Sequence, residues 1–229
     1  MLNVIYEDNH ILVVVKPQNI PTQGDISGDT CMVDLVENYL REKYEKKGNV
    51  YVGLVHRLDR PTGGIMIFAK TSKAAARLSE SIKTKEFEKK YLAVVNGEVK
   101  EKYGTLKNYL KKNVKTNMVS VVPELTDGAK YAELKYKVLE AKEKVSLVEV
   151  ELLTGRSHQI RVQFKHIGHP VYGDIRYGGD ILAKGHNLAL WAYKIKFTHP
   201  TTKQVMTFVA MPPEDIVPWS SFSIKSISF

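Results

Sequence analysis

The chain has 229 residues, 43% hydrophobic and 26% charged, a balance typical of a soluble globular protein with one sizeable core or two modest ones. The single cysteine, Cys31, excludes an internal disulfide, and the acidic start MLNVIYEDNH argues against a signal peptide or membrane span. We therefore expect a cytoplasmic protein. The net charge of +9 suits a polyanion, although a lysine-rich surface that only maintains solubility explains it equally well.

Short strands and helices are predicted in the N-terminal part of the chain. Met32, Val36 and Leu40 recur at four-residue spacing, which indicates one buried helix stripe. Ser72 is a suitable N-cap for a second helix. The predicted elements are strands at Val4–Tyr6 and Ile11–Lys16, a loop at Pro17–Asp29, a helix from Met32 to about Lys46, a strand at Ile65–Ala69 and a helix reaching about Lys83.

Strands dominate the rest of the chain. Further strands are predicted at Tyr91–Val95, around Val148–Leu152, at Leu188–Phe197 and at Val205–Ala210, with a helix at Ser157–Ile167. The polar, weakly patterned stretch Lys100–Lys130 is predicted to be a variable region or mobile arm. Because strands outnumber helices and do not alternate with them strictly, we expect an α+β fold around a central, mostly antiparallel or mixed sheet, in one domain over residues 1–229.

The densest functional signal is the segment HRLDRPTGG, from His56 to Gly64. Asp59 lies between Arg57 and Arg60, and nearby cations favour an ionised carboxylate that can act as a nucleophile or ion-pair acceptor. The glycines allow a ligand or another backbone to approach closely. A turn aspartate in a surface ion pair explains the same residues, and composition alone favours that simpler interpretation.

A second signal is the segment Gly155–Arg161, at the start of the predicted helix. If Ser157 caps that helix, His158, Arg161 and Lys165 share one face, which could meet a phosphate or a carboxylate such as Asp59. A solvated helix face is the usual alternative. Tyr91, in the segment Lys89–Ala93, is either a packed strand residue or a platform on which a base stacks.

No residue pattern indicates a metal or a nucleotide cofactor. His166 and His169 are separated by a helix-breaking glycine, and no phosphate-binding or dinucleotide-binding glycine motif is present. We therefore expect no metal and no cofactor. A glycosidase-type pair of carboxylates remains open, although no second acid stands out near Asp59.

Taken together, these segments resemble the RluA-type RNA pseudouridine synthases. HRLDRPTGGIMIFAKT looks like that family's signature around its catalytic aspartate. TGRSHQIRVQFKHIGHPVYGD is similar to its arginine block, and KKYLAVVNG to its tyrosine block. The segments around Lys16-Pro17 and His199-Pro200 also look like the family's ends. The resemblance thus runs from about residue 3 to residue 213 in five ordered blocks.

The resemblance implies an isomerase, an intramolecular transferase that detaches a uracil base in RNA, turns it and reattaches it through carbon. Asp59 matches the aspartate that attacks the nucleotide, Tyr91 the tyrosine that stacks on the base, and Arg161 the arginine that pairs with the aspartate. Arg57 matches the residue that helps to flip the target nucleotide out of its stack. We expect the RNA-contacting residues to be Arg57, Arg60, Arg156, His158 and Lys165.

Two features differ from many members of this family. Glycine stands at position 63 where many have serine, and no small RNA-binding domain is expected ahead of the first strand. The expected partner is ribosomal or transfer RNA, with no membrane, no obligate protein partner and a monomeric state. The sequence does not identify the uridine. A non-catalytic RNA-binding module on the same scaffold is the main alternative, and a metal-dependent nuclease is a weaker one.

Overall fold

A computed structural model describes residues 2–178 and 185–224 of the chain. The chain divides into two compact units. The first unit consists of Met1–Lys89 and Ala192–Ala210, and the second unit of Lys90–Trp191 and Met211–Phe229. Within the described residues no helix has the length and apolar character that a membrane span requires.

The first unit is a sheet with two helices. Its elements are β1 (Asn3–Glu7), β2 (Ile11–Lys16), α1 (Met32–Lys43), β3 (Gly53–Leu54), β4 (Gly63–Ala69), α2 (Ser72–Lys83), most of β10 (Leu190–Thr198) and β11 (Val205–Val209). The strands lie in the order β1-β2-β4-β10-β11, and β3 pairs with β4. The registers of β1 with β2, β2 with β4, β3 with β4 and β10 with β11 are antiparallel.

Apolar side chains cover the centre of this sheet. Every residue of β4 is buried, as expected for a strand whose two faces are both covered. Ala74 and Leu78 of α2 pack against β2, β4 and β10 in a core cluster that also contains Phe87 and Phe197. Phe87 stacks on Phe197 with ring centroids 5.2 Å apart. The first unit therefore has its own hydrophobic core.

Gly64 explains why β4 fits beside β10. Its φ is +119°, and a Cβ at this position would lie 2.2 Å from the carbonyl oxygen of Ala192. No residue with a side chain fits that space, and the backbone conformation itself favours glycine. The prediction that the glycine pair allows close backbone approach is confirmed at this position.

In its described residues the second unit is an antiparallel sheet with one α-helix and a short 3-10 helix at Trp219–Ser221. Its elements are most of β5 (Glu88–Asn96), β6 (Tyr103–Asn113), β7 (Met118–Val122), β8 (Lys130–Ala141), β9 (Val145–Leu152) and α3 (Gln159–His166). The strands lie in the order β5-β9-β8-β6-β7, and each of these pairings is antiparallel. The predicted α+β class with a mostly antiparallel sheet is confirmed.

The stretch Lys100–Lys130 was predicted to be a variable region or mobile arm. It forms β6 and β7, which pair as a hairpin. Leu110 and Val119 are buried and pack with Val162 of α3. The apolar residues that fix the hairpin are few and lie among lysines, so the period-two pattern is weak in the sequence although one face is packed.

The helix ends differ from their predicted positions by a few residues. Thr71, not Ser72, caps α2, because its side chain accepts the N–H of Ala74. The third helix begins at Gln159 after His158, whose φ of +53° is left-handed, so Ser157 does not cap it. The first helix ends at Lys43 rather than near Lys46.

Candidate active site

The turn around Asp59 is fixed by buried hydrogen bonds on both sides. The N–H of Thr62 donates to the carbonyl oxygen of Asp59 over 2.9 Å. On the other side the Thr22 hydroxyl donates to the carbonyl of Leu58 over 2.8 Å, and the Leu58 side chain is itself buried. The Asp59 side chain is partly exposed. The Asp59 carboxylate is thus carried on a backbone that hydrogen bonds hold on both sides.

Lys16 ties this turn to the end of β2. Its side chain has no exposed surface, and its ammonium donates to the carbonyl oxygens of Pro17 (2.9 Å), Arg60 (2.9 Å) and Thr62 (2.7 Å). Burial lowers the pKa of Lys16 to about 7, against the opposing effect of the Asp59 carboxylate. A buried amino group, whose charged form burial opposes and Asp59 favours, therefore holds the backbone of the aspartate turn.

The two arginines beside Asp59 have different surroundings. Arg57 is exposed. Arg60 donates to Asp29 over 2.7 Å and to the Ser27 hydroxyl over 2.6 Å, and it lies 3.3 Å from the Asp25 carboxylate. The guanidinium of Arg60 therefore binds the acidic loop before α1.

His56 is the buried histidine of the same segment. Its Nε2 accepts the N–H of Ile67 over 3.1 Å. Burial, with a smaller effect from the Lys89 ammonium, lowers the pKa of His56 to about 3. The imidazole is consequently neutral throughout the physiological range, and its position next to β4 is that of a packing residue.

Tyr91 occupies β5 in the second unit. It is 6% exposed and lies opposite Val150 of β9. Its neighbour Lys90 forms an ion pair of 2.9 Å with Glu149. In an antiparallel pair, opposed side chains share a face of the sheet, so Tyr91 faces the same side as Val150 and Lys90 faces the other.

Arg161 is buried on α3 and bonds to a carboxylate that the sequence prediction did not include. Its Nε and Nη2 donate to the two carboxylate oxygens of Asp174, each over 2.7 Å. Both side chains are almost completely buried. This bidentate geometry gives the strongest kind of arginine–carboxylate contact.

His158 precedes α3 and does not lie on a shared helix face, but Tyr177 contacts all three residues that were predicted to share one. The Tyr177 hydroxyl lies 2.7 Å from Nδ1 of His158. The cations of Arg161 and Lys165 lie 5.0 and 5.9 Å from the centroid of its ring. Arg156 is placed elsewhere: it is exposed, and its Nε donates to the carbonyl of Tyr131.

The predicted site residues are thus distributed over both units. Arg57, Asp59 and Arg60 belong to the first unit, and Tyr91, Arg156, His158, Arg161 and Lys165 belong to the second. Within the part of the chain that the structure describes, no group of three or more metal-ligating side chains is assembled.

The sequence of this chain matches a known family over most of its length. Residues 10–166 fit the family model described as RNA pseudouridylate synthase. The chain belongs to the RNA pseudouridylate synthase family. Members of this family are isomerases that act on RNA, so the predicted family and enzyme class are confirmed.

Relatives of known sequence agree with this result, and a solved structure shows the same fold. The uncharacterized RNA pseudouridine synthase YhcT of Bacillus subtilis is 34% identical over 218 residues, which cover 94% of this chain and 70% of YhcT. The ribosomal large subunit pseudouridine synthase C of Vibrio vulnificus is 35% identical over 219 residues, covering 93% of this chain. This chain spans 66% of the Vibrio protein's length. The structure of human RNA pseudouridylate synthase domain containing 4 has a TM-score of 0.77 and 22% identity, with coverage of 92% and 88%, and shares the fold.

Three residues that contact the predicted site residues or their backbone were not themselves predicted. Lys16 was noted only as part of Lys16-Pro17, because a lysine at the end of a strand is normally solvated. Asp174 is the last residue of the arginine block, which ends in HPVYGD, and Tyr177 follows it by three residues. The Gly-Asp pair at the end of that block was the available signal for Asp174. The spacing of the residues does not show which cation the Asp174 carboxylate contacts.

Proposed function

We propose that this chain isomerises uridine to pseudouridine in large-subunit ribosomal RNA, with Asp59 as the attacking carboxylate. The names of the synthase C relatives support the substrate, and the family match supports the reaction. The reaction breaks the bond from the ribose to N1 of uracil and forms one to C5, and in the same change C5 loses its proton and N1 gains one. It consumes no oxidant and no water, so it agrees with the expected absence of a cofactor.

The observation that best supports Asp59 is the way its turn is held. Surface turns are seldom anchored by a fully buried lysine, whereas Lys16 holds the carbonyl groups of Arg60 and Thr62 on the side that follows Asp59. A fixed backbone keeps a nucleophile in its reactive geometry, and a misplacement of about 1 Å can cost about 100-fold in rate. The alternative of a turn aspartate in a surface ion pair does not require such an anchor.

The other roles follow the family resemblance. We assign base stacking to Tyr91, support of the Asp59 carboxylate to Arg161, and expulsion of the target nucleotide to Arg57. The exposure of Arg57 supports its assignment, since a residue that enters an RNA stack must be accessible. Unstacking the base costs about a few kcal/mol, which contacts from basic residues to the RNA backbone can offset.

The proposed RNA contacts are of two kinds. Arg156 and Lys165 are exposed cations that can meet phosphates directly. Arg60 and His158 already have protein partners, and we assign them the shaping of their local surface: Arg60 through the acidic loop and His158 through Tyr177. We further propose that both units form one catalytic domain that acts as a cytoplasmic monomer, because the family match runs through residues of both.

The decisive experiment replaces the proposed nucleophile. Asp59→Asn is expected to lower pseudouridine formation by at least about 10³-fold, because the amide has no nucleophilic carboxylate. RNA isolated from cells lacking the gene is the substrate, and mass spectrometry measures the product. RNA binding should change by less than about threefold. Asp127→Asn, at an exposed turn, is the matched control and should retain full activity.

Full activity of Asp59→Asn would refute the assignment of the nucleophile. A comparison of the pseudouridine maps of a deletion strain and its parent tests the reaction and the substrate together. A lost site in large-subunit ribosomal RNA supports the proposal, and a lost site in transfer RNA corrects the substrate. An unchanged map would favour the non-catalytic RNA-binding module instead, and RNA cleavage that a chelator stops would favour a nuclease.

A further inference from the structure

Asp174 is a buried carboxylate that accepts four hydrogen bonds. Besides the two bonds from Arg161, its Oδ1 accepts the N–H groups of Arg176 and Tyr177, each over 3.1 Å. The side chain has no exposed surface. Four donors therefore fix this carboxylate in one position, and a carboxylate so fixed can dictate where a bonded guanidinium lies.

A second group restrains the same guanidinium. The ring of Tyr177 lies 5.0 Å from the central carbon of the Arg161 guanidinium. Two contacts hold the ring in turn: the hydroxyl accepts the N–H of Val119 over 2.9 Å and lies 2.7 Å from Nδ1 of His158. A hydroxyl that accepts from Val119 can give its own proton to His158.

Asp174 bonds to only two of the three nitrogen atoms of the Arg161 guanidinium. Arginine has five N–H donors in a planar fork, and Asp174 takes donors from Nε and Nη2. The donors on Nη1 are outside this ion pair. Asp174 and Tyr177 together therefore determine the plane and the direction of the remaining donors, and they remove the rotamer freedom that a long arginine side chain otherwise has.

We propose that Asp174 is a positioning residue that acts on catalysis through Arg161. This inference rests on the proposed function, in which Arg161 supports the attacking Asp59. Asp174 holds the guanidinium, so that the cation is in place before RNA binds and no reorganisation is needed during the reaction. A purely structural role, as a buried ion pair that stabilises the second unit, is the competing explanation.

The two explanations differ in a double-mutant cycle on the chemical rate. The proteins compared are the wild type, Asp174→Asn, Arg161→Met and the double variant, with single-turnover rates and RNA dissociation constants measured on RNA from cells lacking the gene. We expect Arg161→Met to lower the rate by about 10³-fold and Asp174→Asn by about 10- to 100-fold. If Asp174 acts through Arg161, the double variant should be no slower than Arg161→Met alone. RNA dissociation constants should stay within about threefold.

Asp174→Glu distinguishes an effect on the rate from a simple loss of folding. It keeps the charge but moves the carboxylate by one methylene group, so we expect a smaller loss of stability than in Asp174→Asn and a rate of the folded protein about tenfold lower. Glu7→Gln breaks a buried ion pair in the first unit and is the matched control. It should lower stability without changing the rate of the folded protein.

Other results overturn the inference. Wild-type rates for folded Asp174→Glu and Asp174→Asn would leave Asp174 a structural role only, and multiplicative losses in the double variant would show that it does not act through Arg161. A wild-type rate for Arg161→Met with inactive Asp59→Asn would refute the positioning role and the assignment of Arg161, but leave the proposed reaction and its nucleophile intact. An active Asp59→Asn would refute the proposed function itself.

Discussion

Lys16 is a charged residue without exposed surface, and its three N–H groups match three main-chain oxygens. This count explains why a lysine can be buried here: an ammonium has three donors and none is left over. The sequence did not predict it, because lysine is almost never fully buried unless it is paired, and the partners are carbonyl groups that any residues supply. Asp59, in contrast, stood out through its family segment.

Replacing Lys16 should loosen the aspartate turn. In Lys16→Met three carbonyl groups lose their donor, and we expect the free energy of unfolding to fall by about 2–4 kcal/mol. The single-turnover rate should fall as well, because Asp59 is less well placed. Urea unfolding and rate measurements check both effects. Lys73→Met, at an exposed position of α2, is the control. Unchanged stability in Lys16→Met would show that the buried ammonium does not anchor the turn.

At the level of elements, strongly patterned segments were predicted well and weakly patterned ones were not. β2 and the buried stripe of α1 agree with their predictions because many apolar residues repeat at the right period. The hairpin of β6 and β7 depends on the packing of Leu110 and Val119 against α3. The periodicity of the local sequence does not reveal such a contact between distant residues. The start of α3 depends on Gln159, whose side chain accepts the Arg156 N–H.

Glu7 joins β1 to α1 and to the end of β4. Its carboxylate accepts from the ammonium groups of Lys43 and Lys70 (2.6 Å each) and from the hydroxyls of Tyr39 and Tyr44 (2.8 and 2.6 Å). Burial opposes ionisation, but these four donors outweigh it and lower the pKa of Glu7 from 4.5 to about 2. The ionised form is therefore the one that stabilises the fold.

Glu7→Gln should therefore destabilise the protein in a pH-dependent way. The unfolded chain takes up the proton near pH 4.5 and the folded one only near pH 2, so the stabilisation is complete above about pH 5 and is lost on acidification. We expect a loss of about 2–3 kcal/mol at pH 7 that shrinks towards pH 2. Urea unfolding at several pH values measures it, with Glu42→Gln, exposed on α1, as the control. A loss that stays constant with pH would contradict this account.

At the level of the whole molecule, the excess of positive charge is the property most relevant to RNA. The net charge is +9, and three exposed lysines lie at or beside the turn between β6 and β7: Lys111, Lys112 and Lys115. The sequence predicted the charge and the family, and it located the proposed reactive residues because those occur in contiguous segments. It could not show that Arg161 meets Asp174, thirteen residues further on, because that contact depends on the turn after α3.

RNA binding should weaken steeply with salt. Each cation that neutralises a phosphate adds about 0.7 to 0.9 to the slope of log affinity against log salt concentration. In Lys112→Ala/Lys115→Ala the slope should fall by about 1 to 2, as measured by filter binding at several salt concentrations. Lys46→Ala/Lys47→Ala, after α1, removes the same charge from another exposed segment and should leave the slope nearly unchanged. Equal slopes for all three proteins would exclude the hairpin from the RNA-binding surface.

The first unit is built from two distant stretches of the chain, and β10 supplies the neighbour of β4 from the second of them. A ribosome makes the chain from its N-terminus, and domains usually fold in the order of synthesis. Here the strand beside β4, with the close approach at Gly64, is made only after most of the chain has been translated. The turn of Asp59 must therefore wait for nearly the whole protein before the sheet that supports it is complete.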